Sequence, residues 1–157
     1  MDILAHLLWS YIIFKGIPNM NWALFFGIFP DLFSFAPNFL HLLFTNGWRK
    51  YKKKSLQEVQ KIIPPYIFMI YDITHSLIIS SVTIGLVTLI GGTFPIFMLA
   101  WPVHILFDIP THTKDFFPTH FLYPFSTFCV NGIRWGQAWF MVTNYTFIIV
   151  LLFLKSF

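Results

Sequence analysis

His104-Ile105-Leu106-Phe107-Asp108-Ile109-Pro110-Thr111-His112 sets metal-binding groups in an almost uniformly apolar stretch that opens Trp101-Pro102-Val103. On a helix, His104 and Asp108 share one face, one turn apart. An ionisable group at bilayer depth costs about 2.5–3.5 kcal/mol on insertion scales, which makes it a functional-site candidate by default. A nearby cation offsets that cost, yet no Lys or Arg occurs between Lys61 and Lys114. An acquired proton, a histidinium, a distant basic group and a bound metal ion remain as the compensating charge.

Composition points the same way. The 157 residues are 57% hydrophobic and only 10% charged, against about 45–50% and about 25% in a soluble domain. So little polar surface cannot solvate a globule of this length, and an integral membrane protein of one domain, 1–157, is expected. Six of the ten basic residues, Arg49, Lys50, Lys52, Lys53, Lys54 and Lys61, fall in one stretch. Between apolar segments this reads as a cytoplasmic loop, 45–61, obeying the positive-inside bias and touching anionic headgroups. No nucleic-acid partner is expected. Cys129 is the only cysteine, which excludes an internal disulfide and thiolate-rich zinc sites.

The chain divides into five apolar segments. The first, 2–17, carries His6. The second, 21–45, is long enough to span and is expected to break at Pro30-Asp31, because a proline removes a backbone donor and crowds the preceding turn. Ser55-Leu56-Gln57-Glu58 follows as a helix-capping box. In the third segment, 62–89, Asp72, Ser76, Ser80 and Thr83 form a polar stripe, with His75 beside it. The fourth, 93–109, carries His104 and Asp108. An aromatic stretch, 110–136, reads as an interfacial or re-entrant loop, with Trp135 and Trp139 as anchors. The fifth, 137–154, has no charge and is the cleanest span. The expected fold is all-α: a membrane bundle of about four to five transmembrane or membrane-embedded helices. With the basic loop inside, Asp108 lies near the cytoplasmic end of its segment, and the C-terminus lies outside.

Read in order, His6, Pro30-Asp31, Thr74-His75-Ser76, His104-Ile-Leu-Phe-Asp108 and Pro124-Phe125-Ser126 form a series. It resembles the YdjM-like family of bacterial inner-membrane, membrane-bound metal-dependent hydrolases. The resemblance covers nearly all of the chain except the last span. It implies a bacterial plasma-membrane location and hydrolysis at the cytoplasmic side. Two elements depart from the family pattern. Leu32-Phe33 stands where a second acidic residue is common, and Asp72-Ile73 stands where His-Arg is common. Asp72, His112 or His120 could replace part of the family's site.

His and Asp donors without sulfur suit Zn²⁺, Mn²⁺ or Fe²⁺. The expected ligands, for one or two ions of Zn or Mn, are His6, Asp31, His75, His104 and Asp108, with Asp108 able to bridge. Asp72 and His112 are the candidates for orienting a ligand or moving a proton. Such a centre would act on an amphiphilic substrate, a lipid-like phosphoester, with membrane lipids as its surroundings. Proton- or metal-coupled transport and a non-catalytic scaffold are the competing functions, because membrane acids and broken helices also build ion relays.

Overall fold

The computed structural model describes residues 1–45 and 54–155. Seven α-helices follow in order among them: α1 (Ile3–Phe14), α2 (Met20–Thr45), α3 (Leu56–Ile62), α4 (Pro65–Thr74), α5 (Leu77–Gly91), α6 (Ala100–Thr111) and α7 (Ala138–Leu154). A 3-10 turn, Ile96–Leu99, leads into α6, and no strand occurs among the described residues. Positions 46–53 of the basic stretch, with Arg49, Lys50, Lys52 and Lys53, lie outside them. The capping box is formed: Glu58 N donates to Ser55 Oγ at 3.3 Å, and Ser55 N donates back to the Glu58 carboxylate at 2.8 Å. Those bonds, the one from the Ser55 backbone foremost, hold the Glu58 carboxyl below its usual range.

The break expected at Pro30-Asp31 is absent: α2 runs unbroken through Pro30 and Pro37. Neighbouring side chains take up carbonyls around the buried Pro30, which is how membrane helices tolerate proline. His104 Nδ1 donates to Gly27 O at 2.7 Å, and Ser34 Oγ to Pro30 O at 2.7 Å. Thr74 Oγ1 of α4 reaches the same Pro30 carbonyl at 3.3 Å.

The interruption lies instead in the third segment, where α4 and α5 meet at 56°. His75 ends α4, and Ser76, in extended backbone, caps α5 by accepting from Ile79 N at 3.1 Å. Groups distant in sequence satisfy this corner. Trp101 Nε1 donates to Thr74 O at 2.6 Å, Leu77 N to Phe121 O at 2.9 Å, and Ser76 Oγ to Tyr123 O at 2.5 Å. The stripe from Asp72 to Thr83 is therefore bent apart rather than continuous.

Among the described residues one helix, Met20–Phe44, is by itself long and apolar enough to cross a membrane. α4 and α5 qualify only as a bent pair; Ile3–Phe14, Ile96–Thr111 and Ala138–Leu154 are apolar but shorter. The loop 112–137 is irregular, as expected, and folds back on the end of α6. Gly132 N donates to His112 O at 2.9 Å, Ile133 N to Pro110 O at 2.8 Å and Trp135 N to Thr111 O at 3.1 Å. A Cβ at Gly132 would lie 2.2 Å from Pro110 O, so only glycine permits this approach.

α2 is the central element, packed on α1, α4 and α6, while α7 packs on α1. Polar groups line the inside: His6, Ser10, Asp31, Ser34, Thr74, His75, Ser76, Ser80, His104 and Asp108 are buried. Large apolar side chains face out, Phe44 at 86% exposure and Ile90 at 87% among them.

The α1–α2 contact turns on Gly27, where a Cβ would meet Ser10 Oγ at 1.9 Å and Ser10 Cβ at 2.7 Å. Gly27→Ala is expected to destabilise the bundle by about 1–3 kcal/mol through overpacking. Thermal unfolding in detergent measures this, and Ser10→Gly in the same chain should recover most of the loss.

Candidate metal centre

Four residues from three parts of the chain converge inside the bundle: Asp31 of α2, His75 at the α4–α5 corner, and His104 and Asp108 of α6. Each offers one donor atom, and the four atoms lie within 4.8 Å of one another. The continuous α2 presents Asp31, the corner turns His75 inward, and the i, i+4 spacing on α6 sets His104 and Asp108 one turn apart.

Backbone carbonyls fix the histidine tautomers, since a carbonyl oxygen can only accept. His104 Nδ1 donates to Gly27 O, and His75 Nδ1 donates to Tyr71 O at 3.0 Å. Each ring therefore turns a bare Nε2 lone pair towards the cluster. The two Nε2 atoms are 3.2 Å apart. His104 Nε2 lies 3.2 Å from Asp108 Oδ2 and 3.8 Å from Asp31 Oδ1; His75 Nε2 lies 3.4 Å and 3.5 Å from the same oxygens. Asp108 is fully buried, and its Oδ2 has no hydrogen-bond partner.

Four acceptors turned on one another repel unless a cation lies between them, and a buried carboxylate oxygen left unpaired is costly. The spacing fits an ion. Metal–ligand bonds of about 2.0–2.1 Å in a tetrahedron place the ligand atoms about 3.3–3.4 Å apart. Five of the six separations are 3.2–3.8 Å. The donors, two nitrogens and two oxygens, suit Zn²⁺, Mn²⁺ or Fe²⁺.

His6, expected as a ligand, stands outside this group. Its Nε2 meets the other carboxylate oxygen, Asp108 Oδ1, at 3.0 Å, and its ring stacks on His104 at 3.6 Å between centroids. From there His6 can orient the Asp108 carboxylate and the His104 ring. The amino group of Met1 also bonds Asp108 Oδ1. Tyr71 stacks on the His75 ring at 3.7 Å, bracketing the ligand rings from the other side.

Of the two residues expected to orient or move protons, the structure brings in one. His112 caps α6, donates from Nδ1 to Phe117 O at 2.9 Å, and turns Nε2 towards Asp108 Oδ1 at 3.4 Å. Asp72 is turned elsewhere: its carboxylate accepts from His120 Nδ1 at 2.9 Å, tying α4 to the aromatic loop. Asp72 and His75 are three apart in sequence, but the corner swings His75 inward without Asp72. Tyr71 and Thr74 brace His75 and the proline turn; from the sequence alone Thr74 enters only within Thr74-His75-Ser76, and neither residue has a role assigned. Their spacing around Thr74-His75 was the available signal.

A cavity of about 400 Å³ opens beside the cluster. Asp31, His112, Asp2 and the start of the chain at Met1 form its polar lining, and Phe35, Ile63, Phe116, Phe117 and Trp135 wall most of the rest. A smaller one of about 230 Å³ shares His112, Phe116 and Trp135 with it and adds Arg134.

No family model, curated protein or solved structure matches this chain. The chemistry is therefore read from the geometry alone.

Metal analysis by mass spectrometry on detergent-purified protein tests the ligand set. His75→Ala and His104→Ala should lose the ion, while Asp72→Asn keeps it. His6→Ala should weaken metal affinity about 10–100-fold without abolishing it, the usual size of an orienting contact. Equal metal content in all four variants and the wild type would exclude this centre.

Proposed function

We propose that this chain is a membrane-embedded, metal-dependent hydrolase acting on a phosphoester of an amphiphilic or lipid substrate. The observation that carries the reading is the set of four inward-turned donor atoms next to a cavity with mostly apolar walls, whose polar lining is Asp31, His112, Asp2 and the start of the chain at Met1. Asp31 belongs to both the donor set and the cavity wall, so a substrate group entering the cavity reaches the ion's side of the site.

The membrane setting is supported by the inversion of the bundle, with polar side chains within and large apolar ones outside. An apolar surface of that extent needs a partner, and lipid is the simplest one. α1, α7, the bent α4–α5 pair and the turn with α6 would then complete the helices embedded around α2. The resemblance to bacterial inner-membrane hydrolases agrees with this reading, with the basic loop 45–61 on the cytoplasmic side.

A divalent Zn²⁺ or Mn²⁺ in such a site polarises a phosphoryl oxygen and lowers the pKa of bound water towards about 7. The chain's own contribution is positional. Gly27 O and Tyr71 O hold the histidine rings so that Nε2 faces the centre. His112, with Nδ1 committed to Phe117 O, holds Nε2 3.4 Å from Asp108 Oδ1 at the cavity, where it would take the proton of an attacking water. Hydrolysis would add that water's oxygen to phosphorus and break the P–O bond to the leaving alkoxide, which would take the proton from His112 and depart as the alcohol.

Ion- or proton-coupled transport is the second reading, favoured by the helix corner at His75, because broken helices also build transport sites. Turnover separates the two. Phosphate release from lipid-like monoesters and diesters is measured in detergent, where no gradient exists. Activity lost on chelation, restored by Zn²⁺ or Mn²⁺, and absent in His104→Ala supports the hydrolase. Metal binding without turnover, together with ion uptake in sealed vesicles, replaces it with transport; metal binding with neither leaves a scaffold. A C-terminal reporter active outside the membrane checks the topology, and a cytoplasmic signal would reverse it.

A further inference from the structure

We infer that Arg134 and the small cavity beside it form an anion subsite that seats the charged group of a single-chain anionic amphiphile, with the chain lying in the larger apolar cavity. The subsite goes beyond the hydrolase reading: the charged group is seated away from the four donors, of which only Asp31 lines the larger cavity, so its binding does not depend on turnover.

Arg134 is the only basic residue between Lys114 and Lys155. It has no acidic partner among the described residues, where all ion pairs involve histidine or the amino terminus. Its position is built. The backbone bonds from Gly132, Ile133 and Trp135 fasten the strand of loop on both sides of it to the last turn of α6. That turn begins at the ligand Asp108. The Gly132 contact leaves no room for the loop to carry a side chain there, so the loop lies as close to α6 as backbone permits.

The chemistry of the two cavities is complementary. The smaller holds Arg134 with Thr113 and Gly136, offering a guanidinium and the Thr113 hydroxyl. The larger offers Phe35, Ile63, Phe116 and Phe117. His112, Phe116 and Trp135 line both, so one molecule can place an anionic group in the first and an alkyl chain in the second. A guanidinium binds a phosphoryl group through a fork of donors that a lysine cannot reproduce. A neutral lipid leaves Arg134 unused, and inorganic phosphate leaves the apolar walls unused.

The test uses octylphosphonate, whose P–C bond resists hydrolysis, so binding is measured whether or not the protein turns over. Its affinity for the metal-loaded full chain in a neutral maltoside detergent is followed by phosphorus NMR line broadening. The wild type should bind octylphosphonate at least about tenfold more tightly than inorganic phosphate or octanol, because each of these loses one half of the contact. Arg134→Ala should weaken binding about tenfold, Arg134→Lys should recover only part, and Lys114→Ala should have no effect. Phe35→Trp, which narrows the chain cavity, should reduce octylphosphonate affinity and leave inorganic phosphate unchanged. Equal binding by wild type and Arg134→Ala overturns the subsite. If Arg134→Ala instead lowers only the protein's affinity for anionic vesicles, the residue serves bilayer headgroups and the inference fails. Octylphosphonate bound as expected by a protein that hydrolyses no ester would retain the subsite and discard the hydrolase.

Discussion

The structure depends on one buried carboxylate. Asp108 is enclosed on every side, one oxygen engaged by His6 and the Met1 amino group and the other facing only lone pairs. Removing a charge from water costs several kcal/mol even after the protein relaxes. The bundle can keep Asp108 ionised only by surrounding it with positive charge. Much else follows from that demand. α1 brings His6, α2 holds the His104 ring through the Gly27 carbonyl, and the α4–α5 corner turns His75 inward.

The same side chains that would hold an ion also hold the helices together. His104 reaches an α2 carbonyl, Thr74 reaches the α2 proline turn, and Trp101 closes the end of α4. These hydrogen bonds tie α2, α4 and α6 to one another around the cluster. Site and scaffold are thus built from one network, and a change at either is felt at both.

Much of this was legible in the sequence, for identifiable reasons. The helical segments follow from uninterrupted apolar runs, and the Ser55–Glu58 cap from its spacing. The cluster of Asp31, His75, His104 and Asp108 followed from the scarcity of polar groups, since few residues were available to serve as its members. What misled was proline. Pro30 suggested a break, but a helix whose freed carbonyls are met by side chains from other elements continues, and those partners are invisible locally. The real corner at Thr74-His75-Ser76 carries no proline or glycine. It is made by Trp101, Phe121 and Tyr123, at least 25 residues further on. The place of Asp72, paired with His120 away from the cluster, was hidden for the same reason, because a corner that decides which side chains turn inward cannot be read from spacing along a straight helix.

The spread of the four donors over three parts of the chain also orders the site's assembly. The donors come from α2, the α4–α5 corner and α6, so while the ribosome is still making α5 only Asp31 and His75 exist. An ion met at that stage has half a coordination shell and no reason to stay. Only when α6 settles against α2 does the full set close, and at that moment its two histidine rings are locked by carbonyls of helices already in place. An ion held by these four donors would therefore be captured late, once α6 is in place against α2.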